Sequence, residues 1–155
     1  MKKLFDEVES RGGFVDKFDN KLNAVRIRLT AAQIKLLHTT PQTLIAAPGP
    51  NKFVQIDTVI GFLNYSTAVF TGANALEFRE TNGAGTKVSE DISAAFLNSG
   101  VDIVVEHSGS VYWGQVTRLL NAPIVVSVPV ADPGGATAAS TLTIIVIYRI
   151  IKVYN

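Results

Sequence analysis

The sequence predicts an all-β protein, an antiparallel β-sandwich of jelly-roll type with about eight strands and two short helices. Three observations predict it: short segments alternate between apolar and polar residues, turn-forming residues recur at short intervals, and only two segments have helical spacing. We expect residues 23–155 to form the sandwich and residues 1–22 to precede it as an N-terminal arm.

The stretch Thr141–Tyr154, TLTIIVIYRIIKVY, predicts a long inner strand. Alternate residues of a strand point to opposite faces, and both faces of this one are largely apolar. We expect Leu142, Ile144, Val146 and Tyr148 to pack on the second sheet. The opposite face needs a cover from outside the chain, so we predict a subunit or capsid interface at Ile145, Ile147, Arg149 and Ile151. A charge buried there needs a partner, which predicts a carboxylate or carbonyl beside Arg149.

The first half of the sandwich follows from alternation and turn signals. Asn23–Leu29 is a half-buried strand whose arginines Arg26 and Arg28 face solvent, and Thr30 caps a short helix that stops before Pro41. A short strand over 43–47 ends at a Pro-Gly-Pro turn. The strand over 52–65 is expected to place on its core face Val54, Ile56, Thr58, Ile60, Phe62 and Asn64.

The second half continues with a hairpin over Ala75–Ser89, turning at residues 82–85. A helical turn that begins at Ser89 is predicted to pack Ile92, Ala95, Phe96 and Leu97 against a sheet. Further strands are expected over 102–106 and 124–130, before the small-residue loop that leads into the terminal strand.

Residues 1–22 carry five basic and five acidic residues and three phenylalanines, Phe5, Phe14 and Phe18. This composition leaves two interpretations open. The segment is either a solvated terminus or an arm whose aromatic side chains dock on a neighbouring subunit.

Composition restricts the functional classes. Charged residues are only 17%, which suits a protein packed into an assembly, and the net charge of +1 argues against a dedicated nucleic-acid binder. The absence of cysteine excludes disulfides and thiolate chemistry. Acidic residues at positions 6, 7 and 9 interrupt any signal-peptide core, and the longest apolar run, 144–148, is too short to span a membrane. We expect neither nucleic acid nor membrane as a partner.

The sequence gives no indication of catalysis, a metal site or a cofactor. The two histidines, His38 and His107, are separated along the chain, and no third ligand can be paired with them. The carboxylates are scattered, and the interpretation that fits each of them best is an exposed strand or cap residue: Glu77, Glu80, Asp91 and Asp102. We therefore expect a non-enzymatic protein.

One aromatic pair, Tyr112-Trp113, lies in a loop between Gly109 and Gly114. Such a pair can stack on a sugar ring or anchor a protein contact. Alternatively, it folds back and closes the end of the sandwich.

Several segments resemble a family of small structural proteins of tailed bacteriophages: LTAAQIKLLHTTPQTLIAAPGPNKFVQID at 29–57, TGANALEFRETNGAGTKV at 71–88 with AAFLNSG after it, and the closing TLTIIVIYRI. The family pattern has an aromatic-x-Gly and an Arg-Tyr pair where this chain has Phe70-Thr71-Gly72 and Arg79-Glu80, so the middle match is looser. The resemblance covers most of residues 29–151 and implies a jelly-roll component of the virion.

Two functions follow as expectations. The first is an oligomeric capsid decoration or cement protein, made in the host cytoplasm and located on the capsid surface, whose partners are itself, as a homotrimer, and the major capsid protein. The second is a tail or head-fibre adhesin that binds host surface glycan through Tyr112 and Trp113.

Overall fold

The computed structural model describes residues 21–109 and 117–153. In chain order, the described part contains nine strands and two one-turn helices: β1 (Asn23–Thr30), α1 (Ala31–Ile34), β2 (Gln42–Ile45), β3 (Lys52–Asn64), β4 (Phe70–Thr71), β5 (Glu77–Glu80), α2 (Ala94–Leu97), β6 (Ile103–Ser108), β7 (Ile124–Ser127), β8 (Gly134–Gly135) and β9 (Thr141–Lys152).

The strands form two main sheets, and every pairing is antiparallel. The four-stranded sheet has the order β1-β9-β3-β6, and the three-stranded sheet has the order β2-β7-β5. The segment after β5 runs back beside it and forms two isolated β-bridges, Arg79–Lys87 and Leu76–Ile92. It therefore occupies the position of a fourth strand in the second sheet. First, last, third and sixth strands in one sheet, with second and seventh in the other, are the arrangement of a jelly roll. The predicted fold class is confirmed.

One hydrophobic core joins the two sheets. The four-stranded sheet contributes alternate residues such as Leu29 of β1 and Ile144 of β9, and the second sheet contributes Phe78 and Val126. All four are almost fully buried. A buried side chain of this size stabilises the fold by about 1.5–3 kcal/mol relative to its exposed state. The predicted core face of β9 is confirmed, because Leu142, Ile144 and Val146 are buried and Tyr148 packs against the cluster.

Strand β3 changes face in its middle. Its register against β9 shifts between Ile56 and Thr58, so Asp57 is an extra residue, a β-bulge. Before the bulge Val54 and Ile56 are buried, and after it the buried residues are Val59, Gly61 and Leu63. The predicted core face of β3 is therefore correct for its first half and wrong for its second. The predicted core residues Ile60 and Phe62 point away from the second sheet.

Both helices are shorter than the sequence predicts. The Thr30 hydroxyl accepts a hydrogen bond from Gln33 N, and Gln33 Oε1 accepts one from Thr30 N, which makes a capping box. Helix α1 ends at Ile34 and continues only as turns to Thr39. Helix α2 is capped by Ser93, whose Oγ accepts from Ala95 N, rather than by Ser89 as predicted.

A glycine beside the bulge is sterically required. Gly109 N donates to Asp57 O at 2.6 Å, and this contact holds the end of β6 against the bulge. A Cβ added to Gly109 would lie 1.8 Å from the carbonyl oxygen of Ile56, which is backbone and cannot rotate away. The bulge therefore depends on a residue without a side chain.

We expect Gly109→Ala to lower the free energy of unfolding by about 1–3 kcal/mol, because strands β3 and β6 must separate locally to admit the methyl group. Urea denaturation measures the change. Gly100→Ala is the matched control, since its Cβ would meet only Val69 Cγ1, at an ordinary 3.6 Å. Equal stabilities of the two variants would contradict the steric requirement.

Candidate functional site on the outer face of the four-stranded sheet

The side of the four-stranded sheet that points away from the second sheet is called the outer face. Its residues stand in register across all four strands. In the central row, Ile145 of β9 pairs with Arg26 of β1 on one side and with Ile60 of β3 on the other, and Ile60 pairs with Glu106 of β6. The flanking rows are Arg28, Thr143, Phe62 and Val104, and Ala24, Ile147, Thr58 and Ser108.

The middle of the outer face is apolar. Ile60, Ile145 and Ile147 are half-buried among their neighbours in the sheet. Beside them, Phe62 and Val104 form a cross-strand pair with exposed fractions of 37% and 60%. An exposed apolar group bounded by charged residues is typical of a surface that binds another macromolecule.

The two edges of the outer face carry opposite charge. Arg26 and Arg28 are exposed on β1, and Glu106 is exposed on β6. The sheet order places these two strands at opposite edges. The surface is thus positive along one edge, apolar in the middle and negative at the other edge.

Arg149 extends the outer face toward the bulge. Its Nε lies 3.2 Å from Asp57 Oδ2, which is within ion-pair distance. Neither atom makes an aligned hydrogen bond among the described residues, and both atoms are shielded from solvent. The predicted carboxylate beside Arg149 is therefore supplied by the same chain, from the residue that forms the bulge.

The predicted interface residues of β9 share this face. Ile145, Ile147, Arg149 and Ile151 are all half-buried, and their role in an interface stays a prediction. Three further residues of this face, Ile60, Phe62 and Val104, were not predicted as site residues from the sequence. The first two were assigned to the core because no sequence pattern showed the bulge.

The remaining predicted contacts lie outside the described residues. This holds for the arm residues Phe5, Phe14 and Phe18, and for the loop pair Tyr112 and Trp113.

Two glutamates that were expected from the sequence to be exposed, Glu77 and Glu80, are buried. Glu80 is 1% exposed; its Oε1 accepts from Arg118 Nε at 2.7 Å, and its Oε2 accepts from Leu119 N at 3.0 Å. The Arg118 guanidinium also donates to Val54 O and lies 5.2 Å from the centre of the Phe53 ring. These contacts tie the segment before β7 to β3 and β5.

Glu77 is the second buried carboxylate. It lies 2.7 Å from both Arg79 and Lys87, and Lys87 also contacts Asp91 at 2.7 Å. Burial alone would raise the pKa of Glu77, but the hydrogen bonds and charges of Arg79 and Lys87 outweigh it and hold the pKa below its usual value of 4.5. Burial alone would lower the pKa of Lys87, and its two carboxylate partners raise it instead.

An open cleft of about 490 Å³ lies over this network and is lined in part by His38, Arg79 and Val130. Its polar groups are already engaged in structural contacts. The His38 ring lies 3.0 Å from Val128 O, and Arg79 Nη1 donates to Gly85 O at 2.6 Å. The cleft is therefore a surface depression between loops that these contacts hold together.

The second histidine is also placed. His107 points to the face opposite Glu106, as the alternation of a strand predicts, and its Nδ1 lies 3.8 Å from Glu90. Among residues 21–109 and 117–153, no three His, Asp or Glu side chains are grouped so that they could hold a metal ion. In the same part of the chain, no helix has the length and apolar character needed to cross a membrane.

Comparisons of the chain with protein-family models, with curated proteins and with solved structures give no significant match.

We expect the protein to lose stability as the pH falls below about 4.5, because the lowered pKa of Glu77 adds stability only while the carboxylate is ionised. This contribution is complete above the unfolded-state pKa of 4.5 and is lost as the pH falls through the folded-state value. Glu77→Gln should flatten the dependence between about pH 6 and pH 3. Urea unfolding measured across this range tests it. Glu106→Gln is the control for the loss of one carboxylate, and equal slopes in the two variants would contradict the assignment.

We expect Arg118→Leu to destabilise the protein by about 3 kcal/mol, because it leaves the buried Glu80 charge without its cation. The double variant Glu80→Gln/Arg118→Leu should recover at least half of the loss, since a neutral amide still accepts from Leu119 N. Thermal and urea denaturation of the three proteins measure the coupling. No recovery in the double variant would show that Arg118 acts mainly through its contacts with Phe53 and Val54.

Proposed function

We propose that this protein is a non-enzymatic structural component of a tailed-bacteriophage virion, of the capsid decoration or cement type. It acts on the capsid surface, where it binds the major capsid protein and further copies of itself. The proposal combines two independent lines of support, the sequence resemblance and the character of the outer face.

The outer face is the observation that carries the proposal. A β-sandwich that works alone in water places polar side chains on the exposed side of its sheets. Here the exposed side has isoleucines in its middle and the Phe62–Val104 pair beside them. The hydrophobic effect favours covering such a surface by about 25 cal/mol per Å² of apolar area.

A decoration protein needs an apolar binding surface on a rigid fold, because it acts only through its contacts with the shell. It must bind a preformed shell, add contacts between neighbouring subunits and remain folded as a rigid unit. The jelly roll supplies the rigid unit, since β9 and β3 lie at the centre of the sheet and both pair along their whole length. The aromatic arm predicted for residues 1–22 would supply a second contact.

We expect Phe62→Ser/Val104→Ser to reduce binding to phage heads that lack this protein by at least tenfold, because it removes the exposed apolar pair. Co-sedimentation with purified heads measures the binding. Val130→Ser is the matched control, because Val130 is 78% exposed but lies in the loop after β7 and not on the outer face. Unchanged binding of the double variant, with its fold intact by circular dichroism, would contradict the proposed use of this face.

A further inference from the structure

We infer that the outer face binds a second copy of the same chain, face to face, around a twofold axis parallel to the strands. The inference deepens the proposed function, on which it rests for the idea that this face is an assembly surface. It names a second copy as the occupant of the face in solution and gives the register of the contact, which is weak enough for a phage head to replace the second copy.

The register of the sheet makes the outer face complementary to itself. A twofold rotation about an axis along the strands, midway between β9 and β3, leaves every residue at its own height and exchanges the two edges of the sheet. The row that runs Arg26, Ile145, Ile60, Glu106 would then face itself in reverse. Arg26 of each copy would oppose Glu106 of the other, and Ile145 would oppose Ile60.

Charge distinguishes this arrangement from the other face-to-face dimer. With the axis across the strands, each edge would face its own copy, so that the exposed Arg26 and Arg28 would meet the same two arginines. Like charges in contact at an interface are unfavourable, and opposed charges fix its register. The axis along the strands puts unlike charges together twice, because a twofold contact repeats every pair.

Sheet twist is compatible with the pairing. Face-to-face sheets pack at about −30°, which displaces a residue on an edge strand by roughly 4 Å relative to the residue that it faces. An arginine side chain can span such a displacement. Arg28 stands two residues along β1 from Arg26, on the same face, so the positive edge extends over both rows.

The size of the outer face sets the strength of the contact. Four strands about 4.8 Å apart, paired over six to eight residues of about 3.3 Å, span a plane of roughly 400–500 Å² per copy. Both copies together cover about 800–1,000 Å², which is below the roughly 1,200 Å² of stable interfaces and in the range of weak, transient ones. We therefore expect a reversible dimer with a dissociation constant in the micromolar range. This dimer differs from the homotrimer expected from the sequence.

Sedimentation of the full chain over a range of concentrations tests the inference. We expect a monomer–dimer equilibrium that Arg26→Glu and Glu106→Arg each weaken by about tenfold, since each reversal affects two symmetric pairs. The double variant Arg26→Glu/Glu106→Arg should restore dimerisation, because it rebuilds both pairs with exchanged signs. Glu90→Arg, an exposed glutamate outside the outer face, is the control and should leave the equilibrium unchanged.

A second pair of variants tests the register without the Arg26–Glu106 pair. In the twofold arrangement Val104 opposes Arg28 of the second copy. Val104→Lys should therefore weaken the dimer more than Val104→Glu, and both variants should fold because Val104 is already 60% exposed.

Several outcomes would overturn the inference. One is a monomer at all concentrations, as expected if residues 1–20 of the same chain cover the face, and another is a trimer. The others are stronger association of Arg26→Glu and no recovery in the charge-exchanged double variant. The binding of heads is a separate measurement. A monomer that still binds heads would refute the dimer and leave the proposed function standing, and a dimer that does not bind them would do the reverse.

Discussion

The antiparallel ladder between β3 and β9 is the interaction on which the rest of the structure depends. It pairs Lys52–Asn64 with Thr141–Lys152, and the other two strands of the sheet attach to its two sides, β1 to β9 and β6 to β3. Residues 58–63 of β3 and 141–148 of β9 have a neighbouring strand on each side, so their backbone donors and acceptors are satisfied within the sheet. The inner side of the same ladder supplies much of the core, including Val59 and Val146.

The bulge at Asp57 determines what that ladder presents to the outside. A strand has a period of two, so one extra residue moves every later side chain to the opposite face. The bulge thereby sends Ile60 and Phe62 outward and buries Val59 and Leu63. Without it Val59, Gly61 and Leu63 would point outward, and Ile60 and Phe62 would point into the core. One inserted residue thus shapes both the core and the candidate site.

The sequence was informative wherever one periodicity applied. The alternation of Val25, Ile27 and Leu29 with two arginines gave β1 its correct faces, and the terminal strand was correctly placed inside a sheet. The prediction of faces failed at β3 because both faces of that strand are rich in apolar residues, so a change of phase leaves no mark in the pattern. Asp57 and Thr58 are two consecutive polar residues between Ile56 and Val59, but they do not show which face the following residues take.

The burial of Glu77 and Glu80 was not predicted, and the reason is different. A buried glutamate is tolerated because of its partners, and their positions in space are not written in local sequence. Arg79 and Lys87 are close enough along the chain to have suggested a partner for Glu77. Arg118 is 38 residues from Glu80, and only the packing of the segment after residue 117 brings them together. The placement of Arg26 and Glu106 at opposite edges of the outer face also depends on the strand order, which local sequence does not show.

The central position of β9 has a consequence for the timing of folding. In its sheet β1 touches only β9, and Thr30 pairs with Thr141, 111 residues further along the chain. A ribosome therefore releases β1 long before the strand that will hold it, and closing so distant a contact is slow. Until β9 has been made, the cross-strand rows of the outer face cannot form, because each row includes a residue of β9. A nascent chain therefore lacks the outer face until its terminal strand β9 is in place.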